Sequence, residues 1–136
     1  MKIILLSHGH LASGMKNTVE LITGKRDNLI AFDAYVDKNK DINEFLDSLM
    51  KLKERFVVIT DIMGGSVNRL AMEKLNHKDV LIVTGMNAAL VLDVVLLQEN
   101  ISKEKIEKAI IESKKMTKLL LPENEKVISD QIDEDF

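Results

Sequence analysis

Two stretches concentrate the chemistry of this chain: Ser7-His8-Gly9-His10 near the amino end and Asp61-Ile62-Met63-Gly64-Gly65-Ser66 near the middle. His8 follows an apolar run and precedes a glycine that lets the backbone turn sharply and leaves the imidazole uncrowded. An imidazole nitrogen is nucleophilic when neutral, and a carboxylate bonded to the other ring nitrogen fixes the tautomer and stabilises the cation formed on attack. Asp61 is the candidate for that carboxylate. A histidine at a strand end is often only a hydrogen-bonded loop residue, so His8 is singled out by its company and not by its type.

Gly64, Gly65 and Ser66 enter a helix. They offer unobstructed backbone N–H groups, the positive end of a helix dipole and the Ser66 hydroxyl, all of which favour a phosphate. A tight turn with Ser66 as N-cap accounts for the same three residues without a ligand. The signal is the combination of histidine, carboxylate and anion nest. His10 opens a rival reading in which His8, His10 and Asp61 ligate a metal such as zinc. Alternate residues project the same way only while a strand continues, and Gly9 indicates that it has already turned. His77 is expected on the surface at the opposite sheet edge, and methionines such as Met15, Met50 and Met72 have the spacing of core filler. No cysteine is present, and there is neither a Walker-type lysine loop nor a dinucleotide fingerprint, so no nucleotide, metal or other cofactor is expected.

The elements that must position these residues follow an α/β rhythm. Four β-rich runs, Lys2 to Leu6, Leu29 to Ala34, Phe56 to Thr60 and Val80 to Thr84, alternate with helical patterns. Leu11, Met15, Val19 and Ile22 form one face of a helix ending at Gly24. Asp41 and Glu44 make a capping box ahead of Ile42, Phe45, Leu46 and Leu49. Ser66 caps a helix with Val67, Leu70, Ala71 and Leu75 on its apolar side. Asn87 caps Ala88 to Leu97, which is apolar nearly all round and calls for cover on more than one side, part of it from a neighbouring subunit. Ser102 caps a last helix, with Ile106, Ala109 and Ile110 inward, that runs to about Lys118. Leu119 to Leu121 is a candidate edge strand. Strands joined through single helices need right-handed crossovers, which predicts an open, mainly parallel sheet with helices on both faces. In the order 2-1-3-4, ligands bind between the loops after strands one and three, where both chemically loaded stretches fall.

The 136 residues fit one domain with its own core. Apolar residues make up 46% and charged residues 30%, which argues against disorder and against a membrane protein. The longest apolar stretch is far short of a bilayer span, and Ile3 to Leu6 is too short for a signal-peptide core, so the expected location is the cytoplasm. The net charge of −3, without a basic cluster, gives no reason to expect a nucleic-acid partner. The domain is read as residues 1–121, followed by an acidic tail, 122–136, that is solvated and frayed.

The segments Ile3 to Gly14, Asp61 to Ser66 and Gly85-Met86-Asn87 resemble, in order and spacing, the mannose-family IIA component of the phosphoenolpyruvate-dependent sugar phosphotransferase system. The resemblance covers about residues 1 to 121 and rests on motifs at the ends of three different strands. It implies a phosphoryl carrier in which His8 takes phosphate from the carrier protein HPr and passes it to a IIB component. Asp61 then holds the imidazole, while Gly64, Gly65 and Ser66 form the phosphate-binding segment. It also implies a four-stranded parallel sheet with an extra antiparallel strand exchanged in a homodimer, and membrane IIC and IID components met only indirectly. Val67 and Ala89 stand where family members often have proline, a departure that bears on loop stiffness and partner preference. The neighbouring readings are the phosphotransfer subunit of a dihydroxyacetone kinase, which the Gly-Gly-Ser loop disfavours, and a regulatory module controlled by histidine phosphorylation. Sugar identity belongs to the membrane components.

Overall fold

The computed structural model describes residues 1–76 and 79–124; His77 and the acidic residues 125–136 lie outside the described part. The elements run β1 (Lys2–His8), α1 (Leu11–Thr23), β2 (Leu29–Ala34), α2 (Ile42–Met50), β3 (Phe56–Thr60), α3 (Ser66–Lys74), β4 (Val80–Thr84), α4 (Ala88–Leu96) and α5 (Lys103–Lys114). The sheet has the expected order β2-β1-β3-β4, with every neighbouring pair parallel.

The central strands β1 and β3 are covered on both faces, which is why they read as continuous apolar runs and do not alternate. Their side chains divide by parity. Ile3, Leu5, Val57 and Ile59 point to one layer and pack with Ala12 and Val19 of α1, Leu90, Val91, Val94 and Val95 of α4, and Ile106 and Ala109 of α5. Ile4, Leu6, Phe56 and Val58 point to the other and pack with Ile42, Leu46 and Leu49 of α2 and Val67, Ala71 and Leu75 of α3. Each fully buried aliphatic side chain of this kind stabilises the fold by about 1.5–3 kcal/mol, so the two layers hold the sheet, and the loops at its carboxyl edge, rigidly in place.

Several local expectations are corrected. β1 continues past Leu6 to His8 because Ser7 and His8 still pair with Asp33 and Ala34. In α1 the inward positions are Ala12, Met15 and Val19, while Leu11 and Ile22 are exposed. The buried Ser7 hydroxyl takes the Ala12 N–H at 2.7 Å and pins the helix start with the small residue inward. A step of 3.6 residues then turns Leu11 and Ile22 to the margins. Asp41 caps α2, but its carboxylate accepts from Asn43 N–H. Asn87 and Ser102 cap α4 and α5 as expected. α5 ends at Lys114, short of Lys118: Lys115 and Met116 close it with bonds to carbonyls three residues back, and nothing beyond Ser113 in α5 is buried. Leu119 to Leu121 pair with no strand of their own chain and are exposed, and the edge strand expected there is one exchanged with a second subunit, which a single chain does not test.

Candidate active site

The site assembles at the carboxyl edge of the three strands β2, β1 and β3. Leu6 of β1 pairs with Thr60 of β3, so His8 extends beyond the pairing while Asp61 leaves β3 beside it. Gly9, at φ 56°, turns the chain away at once, and its N–H closes on the Ala34 carbonyl at 2.9 Å.

Asp61 Oδ2 accepts two bonds of 2.8 Å, one from the His8 backbone N–H and one from His8 Nδ1. Its Oδ1 accepts the Ile62 N–H at 2.9 Å. The carboxylate is 4% exposed and the imidazole 41%. Burial works against the charged carboxylate, but the bonds from His8 and Ile62 and the attraction of the His8 ring outweigh it and hold Asp61 below the ordinary carboxylate range. An ionised carboxylate only accepts, so Nδ1 carries the proton, and in the neutral ring Nε2 carries the lone pair. That lone pair faces Ser66 Oγ at 3.1 Å.

Ser66 is not the N-cap of α3. Gly65 holds that position, and Ser66 is the first helical residue, its hydroxyl turned to Nε2 of His8. The two glycines build the turn. Gly65 N–H bonds the Ile62 carbonyl at 3.1 Å, and Gly64, at φ 75°, gives its N–H to Asn68 Oδ1 at 3.1 Å. The helical ladder begins with Arg69 N–H on the Gly65 carbonyl, so the N–H groups of Ser66, Val67 and Asn68 precede it at the positive helix end. Gly65 also provides room, since a Cβ there would lie 3.4 Å from His8 Cε1 and 3.3 Å from the Ile62 carbonyl oxygen.

His10 does not join His8 and Asp61. Its Nδ1 lies 3.1 Å from Asp33 Oδ2, and Asp33 also takes the Ser13 hydroxyl at 2.6 Å and the Ser13 N–H at 2.9 Å. Burial opposes the Asp33 charge, but the two Ser13 bonds and then His10 lower its pKa on balance. Asp33 is thus a cap for α1 supplied from a neighbouring strand, and the His8–His10–Asp61 metal reading finds no shared centre. Among the described residues no group of three or more His, Cys, Asp or Glu side chains is placed to hold a metal ion.

Sequence reasoning missed Tyr35. It follows β2 directly, and its hydroxyl lies 3.0 Å from Ser66 Oγ with its ring centroid 5.5 Å from that of His8. The available signal was its position: the chain's single tyrosine stands just past a strand that the predicted order sets beside β1. Asn68 was missed as well. It ties the Gly64 turn to Thr60, giving its side-chain N–H to Thr60 Oγ1 at 3.1 Å.

A family model described as the PTS system fructose IIA component, EIIA-man, matches residues 2–117. Among solved structures, a protein from Klebsiella pneumoniae described as a phosphoenolpyruvate-dependent sugar phosphotransferase system permease is 30% identical, with a TM-score of 0.79 over 87% of this chain and 89% of that one. A PTS IIA protein associated with the fucose utilization operon of Streptococcus pneumoniae is 28% identical, with a TM-score of 0.68 over 87% and 91%. The mannose/sorbose specific IIA subunit from Enterococcus faecalis shares the fold at 20% identity, with a TM-score of 0.73 over 89% and 96%. No curated protein matches the chain. None of the described helices is long and apolar enough to cross a membrane.

Proposed function

This chain belongs to the EIIA-man family of phosphotransferase-system IIA components, and we propose that it is a cytoplasmic phosphoryl carrier. His8 accepts phosphate from phospho-HPr and delivers it to a IIB component, for coupled sugar uptake and phosphorylation. The observation that carries the reading is the bond that Nδ1–H donates to Asp61, which leaves the lone pair on Nε2, beside Ser66 at the start of α3, in a side chain that is 41% exposed.

In the transfer, the Nε2 lone pair forms a new N–P bond as the donor's N–P bond breaks and its electrons return to the donor nitrogen. Nδ1 keeps its proton. The ring acquires positive character that Asp61 offsets at 2.8 Å. The phosphoryl oxygens meet the Ser66 hydroxyl and the N–H groups at the start of α3, where the helix dipole favours anions. Catalysis here is positioning and electrostatics, for which this set of residues suffices. The working unit spans residues 1–121 and acts as a homodimer, supported by the exposed Leu96 of α4 and by the exposed Leu119, Leu120 and Leu121, which have no strand partner in a single chain.

The test is incubation with phosphoenolpyruvate, enzyme I and HPr. One acid-labile, base-stable phosphoryl group is expected on the protein. His8→Ala abolishes it and His10→Ala largely preserves it, because His10 belongs to the separate Asp33 pair. A dead His10→Ala with an active His8→Ala overturns the site, and labelling that ignores both substitutions overturns the carrier reading. Offering IIB and a dihydroxyacetone kinase as acceptors separates the two transfer branches.

A further inference from the structure

We propose that Tyr35 is a positioning residue for phosphoryl transfer: its hydroxyl donates to Ser66 Oγ and so holds the Ser66 proton on Nε2 of His8. The inference rests on the phosphoryl-carrier reading and adds to it a residue that the Gly-Gly-Ser and histidine motifs do not contain.

Backbone and exposure argue that Tyr35 is not in place for packing. Its φ is 66°, in the left-handed region that bulky side chains rarely adopt and that glycine or asparagine would occupy more easily. The residue is 59% exposed, so burial of the ring does not explain the choice. The conformation does explain where the ring goes. Ala34 pairs with His8 at the last rung of the sheet, and the left-handed turn that follows brings the phenol back over the imidazole, with the rings tilted by 50°. The hydroxyl then reaches Ser66 on α3, two strands away from its own.

The directions of the hydrogen bonds follow from counting protons. Asp61 accepts from Nδ1, so Nε2 has only a lone pair to offer. The single Ser66 proton therefore goes to Nε2, and the remaining capacity of Ser66 Oγ towards Tyr35 is as an acceptor. Tyr35 must be the donor. The resulting chain runs from Tyr35 O–H to Ser66 O–H to His8 Nε2, with Nδ1–H pointing to Asp61, and every proton has one direction. A hydroxyl rotor without the Tyr35 bond samples other orientations, and bonds polarised in series strengthen one another. When phosphorus takes the Nε2 lone pair in the exchange described above, the Ser66 proton leaves Nε2 for a phosphoryl oxygen on that same atom, a short swing of the hydroxyl that the Tyr35 bond to Ser66 Oγ guides.

The experiment pairs Tyr35→Phe, which keeps the ring, with Ser66→Ala in a double-mutant cycle on phosphoryl transfer from phospho-HPr. Tyr35→Phe is expected to lower kcat about fivefold, the factor of one ordinary neutral hydrogen bond, with KM for phospho-HPr unchanged. In the Ser66→Ala background it should change nothing further. Because the chain has one tyrosine, labelling this protein alone with ¹³C at the tyrosine Cζ gives a single resonance. That resonance should move on Ser66→Ala and again on phosphorylation. A wild-type rate in Tyr35→Phe, an undiminished effect in the Ser66→Ala background, or an unmoved Cζ resonance each overturns the proposal. If the wild-type protein takes no phosphate the carrier reading fails first, and the Ser66→Ala shift still decides whether the Tyr35 bond exists.

Discussion

Replacing Asp61 by Asn separates the charge of this carboxylate from its geometry. The two oxygens serve three donors, His8 N–H and Nδ1–H on Oδ2 and Ile62 N–H on Oδ1. An amide has one acceptor oxygen. With that oxygen at the Oδ2 position the amide keeps both His8 bonds and sets its NH2 against the Ile62 N–H. The flipped amide opposes the His8 backbone N–H and forces Nδ1 to accept, which moves the proton to Nε2 and removes the nucleophile. Each orientation sets the amide against one backbone N–H, and the first is the one that keeps the ring proton on Nδ1. It costs one partly buried hydrogen bond, about 1 kcal/mol, or about 3–4 °C in Tm for a chain of 136 residues. The rate suffers more. A full carboxylate about 3 Å from a forming cation contributes about 5 kcal/mol at an effective dielectric of about 20. Screening of an imidazole that is 41% exposed reduces this to about 3 kcal/mol, a loss of about a hundredfold in transfer rate. The flipped amide would cost nearer ten-thousandfold, the scale of a wrong tautomer. Rapid-quench transfer from phospho-HPr measures the rate, and urea unfolding measures the stability. Since folding lowers the Asp61 pKa from 3.8, its ionic stabilisation is fully present above that value and disappears as pH falls through the folded pKa. The stability gap between wild type and Asp61→Asn should therefore narrow in acid. A variant that transfers within threefold of wild type would refute the charge argument.

Gly65→Ala is expected to slow transfer about 3–10-fold, because the new Cβ meets the Ile62 carbonyl oxygen at 3.3 Å, and the shift of a few tenths of an ångström that relieves it moves the turn beside His8 Cε1, itself 3.4 Å away. The Gly65 backbone, at φ −68°, suits alanine, so thermal melting should change little. Asp93→Asn should raise stability slightly near neutral pH: burial and then the Glu112 charge raise the Asp93 pKa in the fold, so its ionisation opposes folding above that pKa and costs nothing well below 3.8. Melting curves at about pH 7 and about pH 3 check this, and an equal gain at both contradicts it. Sedimentation at micromolar concentration should give a dimer that weakens on truncation after Lys118; a monomer at all concentrations rejects the subunit arrangement while leaving the His8 chemistry intact.

Much of this architecture was legible because its signals are local. The limits of β2, β3 and β4 follow from apolar runs bounded by turn residues, and the parallel order follows from helices that intervene between strands. Asn87 and Ser102 were readable as caps because a cap acts on N–H groups a few residues away. The pairing of His8 with Asp61 was readable through topology, since adjacent parallel strands bring their carboxyl ends together.

What the sequence could not settle were choices made between distant groups. Ser66 has the composition and place of an N-cap, but His8 and Tyr35 together engage its hydroxyl across 58 and 31 residues, and the cap falls to Gly65. Asp33 looks like an ordinary strand-end acid until the fold sets it under the N-terminus of α1, where it takes Ser13 and draws His10 away from His8. The rotation of α1 was decided by the bond from Ala12 N–H to Ser7, which outweighed the larger apolar side chains of Leu11 and Ile22. The sequence alone determined which residue types stand at the ends of which strands. The tertiary structure decided which partner each polar group takes, because a hydrogen bond depends on distances of tenths of an ångström that only the packed sheet and its helices define.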